Sequence, residues 1–189
     1  MGKITVETCE IEGLKVITPA VFGDERGYFM ETYNYNDYKA AGIDQVFVQD
    51  NQSSSKKGVL RGLHFQINFQ QDKLVRVVSG EVFDVAVDLR KDSPTFGQWH
   101  GVLLSAENKK QFFIPKNFAH GFVVLSDHAE FAYKCTDFYH PNDEGGLFWN
   151  DKAIGVEWPM PENMTEADLI ISEKDQKWSG LEEYKKSCK

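Results

Sequence analysis

The chain has 189 residues and 41% hydrophobic content, enough for one domain with a real core. It carries 21 basic against 29 acidic residues, a net charge of -8, which argues against general nucleic-acid binding because that relies on neutralising many phosphates. A small anionic ligand needs only a local cluster of Arg and Lys and stays open.

In chain order, Ile4 to Ile17 alternates loosely around Gly13 and reads as two short strands with a turn. Pro19 to Gly27 reads as a loop, and Gly27 to Tyr35 as an aromatic-rich strand. Asn36 is the expected cap of a short helix over Asp37 to Ala41, with Gly42 as its stop. An extended run over Phe47 to Asn51 leads to a polar loop, Ser53 to Lys57. Lys73 to Val78 and Glu81 to Leu89 flank Ser79-Gly80 and suggest a hairpin; Asp92 to Gly97 is a further turn. Short strands follow at Gly101 to Ser105, Gln111 to Pro115, Gly121 to Leu125 and Ala129 to Thr136. Ser179 with Glu182 makes a capping-box pattern, so a helical tail is expected over about 179–187. Many short strands and few helical periods predict an all-β sandwich or barrel, without a second domain.

The thiols Cys9, Cys135 and Cys188 are odd in number and form no C-x-x-C pair, so they are expected to be free. No apolar run approaches the ~18 residues of a membrane span, and the charged start M-G-K-I-T-V-E-T-C-E does not read as a signal peptide. A soluble cytoplasmic protein is the expectation.

The stretch G-V-L-R-G-L-H-F-Q (Gly58 to Gln66) stands out. On a regular strand Arg61 and His64 point to opposite faces. Gly62 between them marks a bulge or close backbone approach that brings both to one cavity. A lone histidine here would read as a satisfied core residue. Of the other histidines, His100, His128 and His140 read as ordinary surface residues, whereas His120 follows a Pro-Asn loop at a strand entrance. A metal site of cupin type wants H-x-H, a nearby Glu and a later His. Here the first pair is His64 and Gln66, no Glu follows in I-N-F-Q-Q-D-K, and no metal is expected.

Acid–base and anion-binding types remain. His64 suits proton transfer near neutral pH. Tyr133 and Tyr139 are candidate proton donors or stacking rings, Lys73, Arg61 and Arg26 are candidate phosphate or oxyanion partners, and Asp175 is placed to orient a histidine. Taken singly, each also reads as a surface charge or a packed aromatic.

Jointly, the segments resemble the dTDP-4-dehydrorhamnose 3,5-epimerase family. They are G-D-E-R-G-Y-F-M-E (Gly23 to Glu31), V-Q-D-N-Q-S-S-S-K-K-G-V-L-R-G-L-H-F-Q (Val48 to Gln66) and K-L-V-R-V-V-S-G-E-V-F-D-V-A-V-D-L-R (Lys73 to Arg90). S-P-T-F-G-Q-W, F-I-P-K-N-F-A-H-G-F, A-Y-K-C-T-D-F-Y-H-P-N-D-E and S-E-K-D continue the series to about residue 176. The resemblance implies a cupin-type β jelly roll with a few short helices that needs no cofactor and dimerises by strand exchange. It implies a thymidine-diphosphate 4-keto-6-deoxy sugar as substrate, inverted at C3 and C5. It makes His64 the base, Asp175 its partner, Lys73 the contact to the ketone oxygen and Tyr133 the acid on the opposite face. It also implies that Gln49, Asn51 and Arg61, helped by His120, hold the diphosphate and nucleotide, with Tyr139 stacked on thymine. Glu144 and Lys174 would complete the pocket, and Arg26 and Glu31 would reach it from the partner subunit.

One stretch departs from the family pattern. The I-N-F-Q-Q-D loop after Gln66 lacks its proline and small residues and carries Phe69 and Asp72, a carboxylate close enough in sequence to Lys73 to weaken its positive field or reposition it. The competing readings are a mono-epimerase acting at C3 or C5 only, a 4-keto sugar isomerase, a non-catalytic jelly roll that binds a nucleotide sugar, and a metal-dependent cupin oxygenase.

Overall fold

The computed structural model describes residues 3–187. Its strands are β1 (Ile4–Thr8), β2 (Lys15–Pro19), β3 (Val21–Asp24), β4 (Gly27–Met30), β5 (Gln49–Lys56), β6 (Val59–Gln66), β7 (Lys73–Ser79), β8 (Glu81–Asp88), β9 (Trp99–Ser105), β10 (Gln111–Ile114), β11 (Phe118–Val124), β12 (His128–Cys135), β13 (Glu144–Gly146) and β14 (Ile170–Ile171). Two short α-helices, α1 (Tyr35–Ala40) and α2 (Leu181–Ser187), and 3-10 turns at Pro141–Asp143, Glu166–Asp168 and Asp175–Lys177 accompany them.

One sheet has the order β1-β2-β10-β7-β12-β5, and the other β13-β6-β11-β8-β9 with β14 added beside β6. From β5 to β8 each strand lies in the sheet opposite its predecessor, and the chain crosses again at β9–β10, β10–β11 and β11–β12. This is a β jelly roll of cupin type, and its two sheets close over a shared interior.

Burial explains the sequence patterns. The interior between the sheets holds Val75, Val77, Val82, Ala86, Phe112, Phe122 and Phe131 among others. The outer face of the second sheet is covered too, by Leu147, Trp149, Ile154, Trp158 and Leu181 packed on Leu60, Leu63, Val85 and Val87. Strand β8 is therefore apolar on both faces, like any strand with two covers. Outside the first sheet, Tyr38 of α1 and Ile43 pack on Ile17, Leu74 and Phe113.

Five local expectations are corrected. The run Gly27 to Tyr35 stops as a strand at Met30; α1 starts at Tyr35, because Asn34 rather than Asn36 is its cap and its side chain accepts the Asn36 N–H. The loop read over Pro19 to Gly27 contains β3, which forms an exposed hairpin with β4. The polar run Ser53 to Lys57 belongs largely to β5, which pairs with β12 along its whole length; serines are tolerated there because β5 is an edge strand. Ser79-Gly80 makes no hairpin: β7 and β8 lie in different sheets, and Gly80, at φ +77°, turns the chain from one to the other. At the tail, the Leu181 N–H of α2 donates to Asp151 Oδ2 at 2.6 Å.

The site depends on an irregularity between β6 and β11. His64 pairs with His120 and Arg61 with Phe122, so β6 spends one more residue than β11 over the same span. The extra residue is accommodated by two facing glycines. A Cβ on Gly62, at φ +126°, would lie 2.6 Å from Gly121 Cα, and one on Gly121 would lie 2.6 Å from the Arg61 carbonyl oxygen. Both approaches meet backbone, which cannot swing aside. Gly121→Ala is therefore expected to destabilise the fold by on the order of 2 kcal/mol, while Gly23→Ala on the β3–β4 hairpin, where the new Cβ would make only an ordinary contact of 3.6 Å with the Gly27 carbonyl oxygen, stays within about 0.5 kcal/mol. Equilibrium denaturation of both variants measures the difference.

Candidate active site

A cavity of about 370 Å³ opens between the two sheets. Stacked rings of Phe122 and Phe131, 4.3 Å apart and from opposite sheets, form part of its wall. Each ring contributes about 1.5–3 kcal/mol through burial.

The bulge turns Arg61 and His64, three residues apart, into the same cavity. The imidazole of His64 binds Asp175 through Nε2 at 2.7 Å. Asp175 is buried and sits on the turn after β14; its other oxygen takes the Gly62 N–H at 3.3 Å, and its own N–H is held by Ser172. Burial alone would raise the Asp175 carboxyl, but the bonds from His64, Gly62 and Ser172 bring it below the usual carboxylate range.

Tyr133 enters from the facing sheet, on β12. Burial, and next to it the Cys135 thiol, raise its phenol above the ordinary value, so the hydroxyl keeps its proton at neutral pH. The same burial pushes Cys135 up to about 11, where it is a neutral thiol near Asn51. Cys9 and Cys135 are both free, as expected, and Cys188 lies outside the described residues.

The floor carries a second histidine–carboxylate pair. His120 Nε2 contacts both oxygens of Asp84 at 2.9 and 3.0 Å, and Asp84 is fully buried. Burial drives the Asp84 carboxyl up and the His120 imidazole down. It also depresses Lys73, against the opposing pull of Cys135, Asp84 and Glu144. Asp84 was not singled out in the sequence; its one signal was a carboxylate inside the apolar run V-F-D-V-A-V. The Asp72 carboxylate is turned to other partners: it accepts the Lys116 N–H at 3.0 Å and the Thr136 hydroxyl at 3.0 Å.

Around the mouth, the Tyr139 hydroxyl donates to Glu144, which also binds Lys174 at 2.8 Å. Gln49 and Asn51 line the same wall from β5 and contact each other at 3.1 Å. Ten of the expected residues thus line one cavity: Gln49, Asn51, Arg61, His64, Lys73, His120, Tyr133, Tyr139, Glu144 and Lys174. Asp175 stands behind His64. Arg26 and Glu31 do not line it: Arg26 is on the exposed β3–β4 hairpin, paired with its own Asp24, and Glu31 follows the hairpin.

Two surface assignments also change. His140 is half-buried with its ring stacked on Phe69 at 3.9 Å, and His100 is half-buried against Phe112. His128 is exposed, as expected, and bonds Ser54. Among the described residues, no three His, Cys, Asp or Glu are gathered as a metal site.

The chain matches the family model described as dTDP-4-dehydrorhamnose 3,5-epimerase over residues 8–183. The dTDP-4-dehydrorhamnose 3,5-epimerase of Salmonella typhimurium is 59% identical over 159 residues, covering 83% of this chain and 86% of that one. The one from Methanothermobacter thermautotrophicus is 56% identical over 173 residues, 92% of each chain. In three dimensions the chain is similar to dTDP-6-deoxy-D-glucose-3,5-epimerase from Legionella pneumophila in complex with dTDP-4-keto-L-rhamnose. There the TM-score is 0.90 at 52% identity, covering 95% of this chain and 93% of that one.

The floor charges generate a titration prediction. Asp84→Asn removes an anion that supports the Lys73 ammonium, so the already depressed Lys73 pKa falls further and the charge is lost at lower pH than in the parent protein. Lysine side-chain NMR over a pH series reads this directly; an unmoved Lys73 titration would show that Asp84 does not act on it.

Proposed function

Because the chain belongs to the dTDP-4-dehydrorhamnose 3,5-epimerase family and is an isomerase of that class, we propose that His64 and Tyr133 invert C3 and C5 of a thymidine-diphosphate 4-keto-6-deoxy sugar from opposite sides of the cavity. The observation carrying this reading is that the two side chains come from different sheets and line one cavity. A single base returns a proton to the face it came from. Inversion needs a second donor across the ring.

Both carbons flank the C4 ketone, so their hydrogens become acidic once the enolate oxygen is stabilised. With Nε2 engaged by Asp175, Nδ1 of His64 is the nitrogen left to accept the proton. Asp175 then supports the imidazolium, as in other carboxylate-oriented histidines. Lys73 faces the developing oxyanion in a dry site, where a fixed cation counts for more than in water. Tyr133, held protonated by its surroundings, delivers the proton to the other face.

Arg61, Gln49, Asn51 and His120 would hold the diphosphate and nucleotide, while Tyr139 would offer a flat face to thymine beside Glu144 and Lys174. Arg26 and Glu31 fit this scheme only when supplied by a second copy. The β3–β4 hairpin that carries Arg26 exposes Val21, Phe22, Tyr28 and Phe29, apolar surface suited to such an exchange. A homodimer in which each hairpin completes the other cavity is the arrangement we favour. Free thiols at Cys9 and Cys135 support a reducing, cytoplasmic setting, and among the described residues no helix is long and apolar enough to cross a membrane.

Incubation of the 4-keto sugar nucleotide in heavy water is expected to place deuterium at both C3 and C5. Label at one carbon would indicate a mono-epimerase, and label at neither would end the proposal. His64→Ala is expected to lose roughly 10²–10⁴-fold in turnover together with exchange. Tyr133→Phe is expected to retain part of the exchange while failing to complete inversion. Full activity in both variants would overturn the assigned roles.

A further inference from the structure

The loop that departs from the family pattern meets the segment carrying Tyr139 through an unusually complete set of contacts. Gln66, buried at the end of β6, grips the His140 peptide at both ends: its Nε2 donates to the His140 carbonyl at 2.8 Å and its Oε1 accepts the His140 N–H at 2.9 Å. Asp143, also buried, accepts the N–H groups of Asn68 and Phe69 at 2.9 and 2.8 Å and the Asn68 side-chain amide at 2.7 Å. Those bonds hold the carboxyl of Asp143 below its ordinary value although burial pushes it up. The backbone of Phe69 is thereby fixed, and its ring lies nearly parallel to the His140 imidazole, 3.9 Å away at 16°.

Tyr139 is the residue next to this stack. The residue is 49% exposed at the cavity mouth, so burial does little to hold it. Instead its N–H donates to Gln49 Oε1 at 3.0 Å and its hydroxyl to Glu144 at 3.3 Å. An exposed aromatic that must lie flat on a ligand loses rotamer freedom on binding unless its backbone and neighbours have already set it.

We propose that the Phe69–His140 stack, clamped by Gln66 and Asp143, is a positioning device that presets Tyr139 for the base of the nucleotide, so that Phe69 determines nucleotide affinity without touching the reacting carbons. The inference rests on the reading of Tyr139 as the base-stacking residue. It assigns to this chain's divergent loop a part in ligand recognition, where simple loop packing would give it none.

The test uses the full chain and two probes, dTDP and inorganic pyrophosphate, titrated calorimetrically into Phe69→Ala, Phe69→Leu and Phe69→Tyr. Phe69 is half-exposed, so truncation leaves the core intact. Phe69→Ala is expected to weaken dTDP about three- to tenfold and raise KM similarly, with kcat and pyrophosphate affinity retained. Phe69→Tyr, which keeps a flat ring, is expected to restore dTDP affinity, and Phe69→Leu, which keeps only apolar bulk, to stay weak. Unchanged dTDP affinity in Phe69→Ala, equal weakening of both probes, or full rescue by leucine would each overturn the positioning role. Tyr139→Ala run alongside separates the two layers. If it too leaves dTDP binding unchanged, base stacking by Tyr139 is itself refuted; if it weakens dTDP while Phe69→Ala does not, only the positioning role falls.

Discussion

The approach of Gly62 to Gly121 is the constraint on which the rest of the molecule turns. Two backbones meet where no Cβ would fit, and the extra residue in β6 is absorbed there. Without that irregularity, strand alternation would send Arg61 and His64 to opposite faces. With it, both reach the interior, and the Gly62 N–H is left to bind the carboxylate that holds His64. A local backbone arrangement thus brings an imidazole, a carboxylate and a guanidinium together in one step, and the surrounding ladder of β6, β11 and β8 holds it in place.

The cavity concentrates charge in a place where burial opposes it. Lys73, His120 and Asp84 lie together at the floor, each pushed toward its neutral form by desolvation; Asp84 and the two bases pull each other back, while the Lys73 charge disfavours a charged His120. Such a cluster contributes little to stability, since desolvating the ions offsets their attraction. On the mechanism proposed above, what it supplies is a preorganised field, which matters for a reaction whose difficulty is placing negative charge on a ketone oxygen. The stabilising work falls to the apolar layers: the interior between the sheets and the outer layer built by the C-terminal segment. That outer layer also anchors the stretch leading to Asp175, so the tail of the chain serves the site as well as the fold.

The mouth follows a different logic. There the side chains are half-exposed and are set by hydrogen bonds to backbone: Gln66 to His140, Asp143 to the 68–69 turn, Gln49 to Tyr139. Polar side chains holding loop peptides keep a binding wall in shape where apolar burial is unavailable. The cavity therefore has a rigid apolar and ionic floor and a hydrogen-bonded rim.

Much of this was already visible in the residues. Alternating and continuous apolar runs announced the strands from Lys73 to Cys135, because side-chain period and two-sided burial are local properties of a sheet; the short β13 and β14 were not read from the sequence. Gly62 announced the bulge, since a glycine inside a strand is rarely idle, and the cavity residues were legible through motifs that travel together. Other features were beyond sequence reasoning, and for one physical reason: they depend on which strand faces which. Ser79-Gly80 has the composition of a hairpin, yet only the packing of the two sheets decides that the chain crosses between them. Asp84 looks like a misplaced charge until β8 and β11 pair and bring it to His120. Asp72 adjoins Lys73 in sequence but is drawn to Lys116 and Thr136 in space. Local chemistry set most of the strands and picked out the side chains that line the cavity; long-range pairing alone determined which charges meet and which are kept apart.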